Sequence, residues 1–271
     1  MRFLSYVSLL FSSCVSNVSA LFVFKRTGVA HPSLTENHLK IAHMCRDVYC
    51  DKIESCETFV STDTGAQATV TLGGSQAIVC FRGSDSLRDW KINFQMCKVP
   101  FLSRKHKKPE LEVHSGFFIS HNSIKAKIYA KLNAIIESGK CDSILFTGHS
   151  AGATLAAISA FDFQNLKSLP VEVVTFGSPK IGNAAFASYF NSEIKCTRIV
   201  NDNDGIALAP LFSGYRHVGR DVIHLRNRAL PEEEGQNLWQ ALVNFARLDS
   251  VADHDIENYI DNMAKCLKKE A

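Results

Sequence analysis

Ser143-Ile144-Leu145-Phe146-Thr147-Gly148-His149-Ser150-Ala151-Gly152 reads as a short apolar strand that runs directly into a tight turn. The Ala-rich residues that follow, to about Leu166, read as a helix. In the spacing Gly-x-Ser-x-Gly the serine stands on a sharp strand-to-helix bend. The bend crowds its neighbours, so the residues two before and two after the serine must be small, and Gly148 and Gly152 meet that need. A serine hydroxyl is a weak nucleophile near neutral pH and needs an adjacent base and an unhindered approach. The bend supplies the approach, which makes Ser150 the candidate nucleophile. The plainer alternative is an ordinary turn serine at a strand end.

Working outward, Ala68–Leu72 and Gln76–Phe81 flank Gly73-Gly74-Ser75 and read as a β-hairpin. Ile124, Ile128, Leu132 and Ile135 recur at helical spacing and predict an amphipathic helix over 118–138. Residues 36–50 do the same through Leu39, Ala42, Cys45 and Val48 or Tyr49. Val171–Phe176 and Thr197–Asn201 read as further strands. Strand alternating with helix implies an α/β domain around a largely parallel central sheet. Sites in such sheets gather beyond the carboxyl ends of the strands, which puts Ser150, Gly177 and Asp204 at one edge.

The base that serves a serine nucleophile is usually a histidine oriented by a carboxylate, and in this kind of fold the chain order is serine, acid, histidine. Asp202 and Asp204 both follow the strand Thr197–Val200. Asp204, which heads the turn toward the apolar stretch Ile206–Leu211, is the preferred acid. His217, His224 and His254 all lie downstream, and spacing alone does not separate them. His254 sits in Asp253-His254-Asp255, just before the helix-like Ile256–Ile260.

With 271 residues, the chain is long enough for one large domain with a full core. Apolar residues make up 46% and charged residues 21%, the balance of a soluble globular protein. A net charge of +3 is too small to argue for nucleic acid. No apolar run of spanning length follows the N-terminus. Residues 1–20, with Arg2, an apolar Phe3–Phe11 and the small residues Val18-Ser19-Ala20, read as a signal peptide. That leaves residues 21–271 as a single domain on a secretory route. Of nine cysteines, Cys14 lies in the leader-like segment. The even remainder would permit disulfides in an exported chain, and the lack of any CxxC pair argues against zinc.

A set of ordered landmarks then resembles the class 3 lipases, the family of the fungal triacylglycerol lipases. Phe81-Arg82-Gly83-Ser84 with Leu87-Arg88-Asp89-Trp90, Val113-His114-Ser115-Gly116-Phe117, and Val174-Thr175-Phe176-Gly177-Ser178-Pro179-Lys180 with Gly182-Asn183 are similar to its segments. So are Arg198–Asn201 with Asp204, Tyr215-Arg216-His217 with Gly219, and Asp253-His254 with Asn258-Tyr259-Ile260. The resemblance implies an α/β-hydrolase-type fold whose mostly parallel central sheet is flanked by helices, with a short helical lid over about residues 85–102. It implies Ser150 as nucleophile, Asp204 as orienting acid and His254 as base, with Ser84 and Ala151 forming the oxyanion hole. It leaves His217 and His224 in structural roles. It also implies a lid whose apolar face carries Leu87, Trp90 and Phe94, with Ile92, Met96, Val99, Phe101 and Leu102 adding apolar surface (an ordinary amphipathic surface helix is the alternative), and a Cys50–Cys266 tie between the chain ends.

The activity implied is hydrolysis of lipid carboxylic esters at a lipid–water interface, through an acyl-enzyme and without cofactor or metal. Phospholipase A1 or galactolipase action, or acyl transfer by the same triad, are the alternatives, and a non-catalytic lipid binder is a further one. Two departures stand out. Pro210 comes late after Asp204, and the bend carries Ala151 where the family commonly has leucine.

Overall fold

The computed structural model describes residues 33–50, 56–84, 97–102, 108, 110–164, 166, 168–201, 204–210, 214–225 and 252–270. The leader-like residues 1–20, the lid residues Leu87, Trp90, Ile92, Phe94 and Met96, and Asp202 lie outside them.

Strands β1 (Glu57–Val60), β2 (Gln67–Gly73), β3 (Gln76–Phe81), β6 (Ser143–His149), β7 (Val171–Phe176), β8 (Lys195–Asn201) and β9 (Asp221–Leu225) form one sheet in the order β1-β2-β3-β6-β7-β8-β9. β1, β2 and β3 pair antiparallel as a meander. From β3 through β6, β7 and β8 to β9 every pairing is parallel. The expected hairpin is there, with Gly73 opposite Gln76.

Successive strand residues point to opposite faces, and the apolar ones divide accordingly. Ile144, Phe146 and Val173 go to one face, under helices α2 (Ser115–Glu137), α3 (Ala151–Gln164) and α4 (Ala184–Glu193). Leu145, Val174, Phe176 and Ile199 go to the other, under α1 (Glu36–Asp47) and α5 (Ile256–Glu270). Residues Ala151 to Phe163 of α3 are all buried. A helix without a wet face belongs in the centre of a structure, and α3 lies there between the sheet and α2. The α2–α3 seam is polar at one point. His121 bonds Ser159 Oγ at 2.9 Å and Asp162 Oδ2 at 3.1 Å, and Tyr129 donates to the same carboxylate at 3.2 Å.

A second, two-stranded sheet pairs β4 (Lys98–Pro100) antiparallel with β5 (Glu112–His114). It corrects part of the lid reading. The last residues of the expected flap form a strand, and Phe101 directly after it is fully buried among Phe118, Phe161 and Phe186, with ring centroids 5.3–5.6 Å away. Phe101 is core and not flap surface, because the backbone pairing of β4 turns it inward; Leu102, the next residue, is 57% exposed.

The tie between Cys50 and Cys266 is not made. Both are free thiols, as is every described cysteine. Cys50 faces solvent beyond the end of α1, whereas Cys266 is half-buried against the α1–α5 side of the core. The two helices are held together instead by apolar packing that includes Ile41, Ala42, Cys45, Ile260 and Met263. Among the described residues, no helix is long and apolar enough to cross a membrane.

If Phe101 anchors the β4–β5 sheet to the core, Phe101→Ala should cost about 3–5 kcal/mol of unfolding free energy, whereas Leu102→Ala should stay within about 0.5 kcal/mol. Urea unfolding of the two variants checks this, and equal effects would contradict the placement.

Candidate active site

The bend after β6 brings Ser150 to φ +60°, the left-handed region that side-chain-bearing residues rarely occupy. Two backbone bonds secure it: the Ser150 N–H donates to Phe176 O at 3.0 Å, and the Ala153 N–H to Ser150 O at 3.0 Å. The flanking glycines are there for space. A methyl on Gly148 would stand 2.5 Å from the Gly152 carbonyl, and one on Gly152 would overlap the Phe81 carbonyl oxygen.

His254 Nε2 lies 2.7 Å from Ser150 Oγ, and His254 Nδ1 lies 2.8 Å from Asp204 Oδ2. The carboxylate can only accept, so Nδ1 carries the proton and Nε2 presents its lone pair to the serine O–H. Ser150, His254 and Asp204 are all buried. Of the three histidines that spacing left open, His254 is the one bonded to Ser150. His224 sits on β9, and His217 is buried, where burial and the charges of Arg198 and Lys180 hold it well below its usual range.

Asp204 is the most enclosed member of the group, at 0% exposure, and its two oxygens are fully engaged. Besides His254, Tyr259 Oη donates to Oδ2 at 2.6 Å, and the N–H groups of Ile206 and Ala207 donate to Oδ1 at 2.9 and 3.2 Å. Burial alone would raise this carboxyl. The His254 ring, its hydrogen bond and those of Tyr259 and Ala207 outweigh burial and bring it below the usual carboxylate range. Tyr259 is pushed well above its own usual value, by burial first and then by the Asp204 charge, so it remains a donor.

Gly177 makes the convergence possible. It has φ +57°, and a methyl there would meet Asp204 Oδ2 at 2.7 Å and His254 Nδ1 at 3.0 Å. The loop carrying His254 is fixed by Asn201, whose Nδ2 donates to Asp253 O at 2.8 Å and whose Oδ1 accepts from Asn262 Nδ2 at 2.8 Å.

Of the two expected oxyanion residues, Ala151 directly follows the serine in the chain. Ala151 opens α3, so its N–H points from a helix N-terminus, where developing negative charge is favoured. Ser84, exposed, follows Gly83, and a methyl on Gly83 would lie 3.2 Å from Ser150 Cβ. Among the described residues, no group of His, Cys, Asp and Glu is placed to hold a metal ion.

Three further participants have no role legible in the sequence: Tyr259, Asn201 and His149. Asn201 and Tyr259 stand in family landmarks that assign them no role, and His149 occupies an x position of Gly-x-Ser-x-Gly. His149 is buried, and burial first, then the neighbouring His254, hold its ring down at about 3.

Residues 78–214 match the sequence pattern of the family Lipase (class 3). The chain belongs to the class 3 lipase family. The match takes in Ser84, Ser150 and Asp204 but stops short of His254, whose place rests on the geometry. Among curated relatives, the secreted mono- and diacylglycerol lipase A of Penicillium cyclopium is 28% identical over 187 residues, covering 64% of this chain and 59% of its own length. The chloroplastic galactolipase DONGLE of Arabidopsis thaliana is 26% identical over 237 residues, covering 77% of this chain and 49% of its own. The chain thus spans only about half to three-fifths of these relatives. The solved lipase of Rhizopus microsporus var. chinensis superposes with a TM-score of 0.65 at 23% identity, over 85% of this chain and 92% of that one. The fold is that of the α/β-hydrolases.

The lowered value of His149 has a sign. Between about 6.5 and 3 the unfolded chain binds a proton on this ring and the folded chain does not, so protonation favours unfolding and stability falls with pH in that window. His114, held at about 4 by burial, adds in the same direction. The melting temperature should therefore drop steadily from pH 7 to pH 4, and His149→Gln should make the drop shallower. Identical slopes in wild type and variant would show that the ring is not held neutral.

Proposed function

We propose that this class 3 lipase relative is a serine esterase that cleaves acyl esters of lipids through an acyl-enzyme on Ser150. The observation that carries the reading is the unbroken line from Ser150 Oγ through the His254 ring to the Asp204 carboxylate, at 2.7 and 2.8 Å. His254 Nε2 takes the hydroxyl proton as Oγ attacks the ester carbonyl, and Asp204 stabilises the imidazolium that forms. The N–H groups of Ala151 and Ser84 receive the oxyanion. The alcohol leaves with the proton from Nε2, and water repeats the route to release the fatty acid.

Acylglycerols are the favoured substrate class, supported by the Penicillium relative, which is named for mono- and diacylglycerols. A polar-lipid substrate is the second reading, supported by the galactolipase relative. The secreted description of the Penicillium protein, together with the leader-like residues 1–20, supports export.

A fluorophosphonate probe should label the purified protein, and Ser150→Ala should abolish labelling. The same variant should lower hydrolysis of p-nitrophenyl butyrate by about 10,000-fold or more at unchanged melting temperature. A panel of monoacylglycerol, triacylglycerol, phosphatidylcholine and galactosyl diacylglycerol emulsions, with product analysis in the presence of alcohol acceptors, separates the substrate readings and acyl transfer. Hydrolysis retained by Ser150→Ala would overturn the proposal.

A further inference from the structure

The residue before the serine spends both ring nitrogens. His149 Nε2 lies 2.7 Å from the backbone carbonyl oxygen of His254, and His149 Nδ1 lies 3.0 Å from Tyr49 Oη. A carbonyl oxygen only accepts, so Nε2 must carry the proton of the neutral ring. Nδ1 is then a lone pair, and the Tyr49 hydroxyl must donate to it. One tautomer satisfies both contacts: the His254 carbonyl selects it, and Tyr49 supports it by donating to Nδ1.

The surroundings fit this arrangement. The His149 and His254 rings lie against each other, with centroids 4.6 Å apart, and His149 also meets the edge of Tyr259, the donor to Asp204. Tyr49 follows Val48, the C-cap of α1, and the packing of Ile41, Ala42, Cys45 and Val48 on the sheet and α5 fixes where its hydroxyl falls. Gly83, one residue before the oxyanion candidate Ser84, clears the path. A methyl at Gly83 would overlap Tyr49 Oη and stand 2.8 Å from the His149 carbonyl oxygen. A side chain that only filled space would not need two matched polar partners. In a dry site, each unmet partner is a cost.

Resting on the esterase reading above, we propose that His149 and Tyr49 are positioning residues for catalysis. Tyr49 donates to Nδ1 and fixes the ring, and the His149 Nε2–H holds the His254 backbone so that the base keeps its register with Ser150. The nucleophile and the base are thereby tied through adjacent residues of one strand end, independently of Asp204. The device also places a neutral ring, not a charged one, beside the imidazolium that forms in the reaction.

The test compares Tyr49→Phe, His149→Leu and His149→Gln in the full chain. A glutamine amide can replace the Nε2–H donor, whereas leucine cannot. A misplacement of about 1 Å in a reacting group can cost about 100-fold in rate. On that scale His149→Leu should lose about 100-fold in kcat, Tyr49→Phe about 10-fold, and His149→Gln should recover to within about 10-fold of wild type, all with KM for p-nitrophenyl butyrate unchanged. Long-range proton–nitrogen NMR should find the proton on Nε2 of His149. The His254 ring resonances should move in His149→Leu and return in His149→Gln.

A His149→Leu kcat within about threefold of wild type, or equal activity of the leucine and glutamine variants at matched melting temperature, would overturn the proposal. So would a proton found on Nδ1. Should His149→Leu fail to fold, Tyr49→Phe and the tautomer measurement decide. Should the wild type show no Ser150-dependent hydrolysis, the esterase reading falls, and the NMR comparison still decides whether His149 holds His254.

Discussion

The site depends on a backbone that turns more tightly after β6 than side chains ordinarily permit. Ser150 sits at φ +60° so that its hydroxyl stands clear of the strand it ends and the helix it precedes. Everything else adapts to that turn. Gly148 and Gly152 give up their side chains so the two arms can close. The Phe176 carbonyl on the neighbouring strand accepts the Ser150 N–H, and the buried α3 provides a rigid arm on the far side. Strain of this kind lasts only where the surrounding structure over-determines it. Here it is enforced by the middle of a seven-stranded sheet and a helix with no wet face.

The electrostatics follow from enclosure. A fully buried carboxylate is costly unless every lone pair has a donor, and Asp204 has four: the His254 ring, the Tyr259 hydroxyl and two backbone N–H groups from the turn that Asp204 itself begins. The histidines His149 and His217, both buried, are kept neutral. The negative charge of Asp204 is therefore directed at one ring rather than diluted among several, and a low-dielectric setting makes that direction count.

How far the sequence was legible depended on the range of the signal. The bend around Ser150, the hairpin over Gly73-Gly74-Ser75 and the helical periodicity of Ile124, Ile128 and Leu132 are local, and each was readable from a few adjacent residues. The choice of His254 over His217 and His224 was not, because it is decided by which residues β8 and α5 bring over the sheet edge, some fifty positions from Asp204 and twice that from Ser150. Phe101 misled for a related reason. An aromatic at the end of an apolar lid-like segment reads as flap surface until the pairing of β4 with β5 shows that it turns inward. The resemblance implies a tie between Cys50 and Cys266, yet one faces solvent and the other packs on apolar side chains. Nothing in the sequence around His149 and Tyr259 states what they do. Their role exists only once the tertiary structure places them against His254 and Asp204.

The turn at Ser150 has a wider corollary. A left-handed backbone is uncomfortable for serine and easy for glycine, so a lineage or a laboratory library screened only for resistance to heat would gain by discarding the hydroxyl. Robustness and competence pull in opposite directions at this position. A particularly hardy variant of this scaffold should for that reason be checked for its serine before it is credited as an improved catalyst.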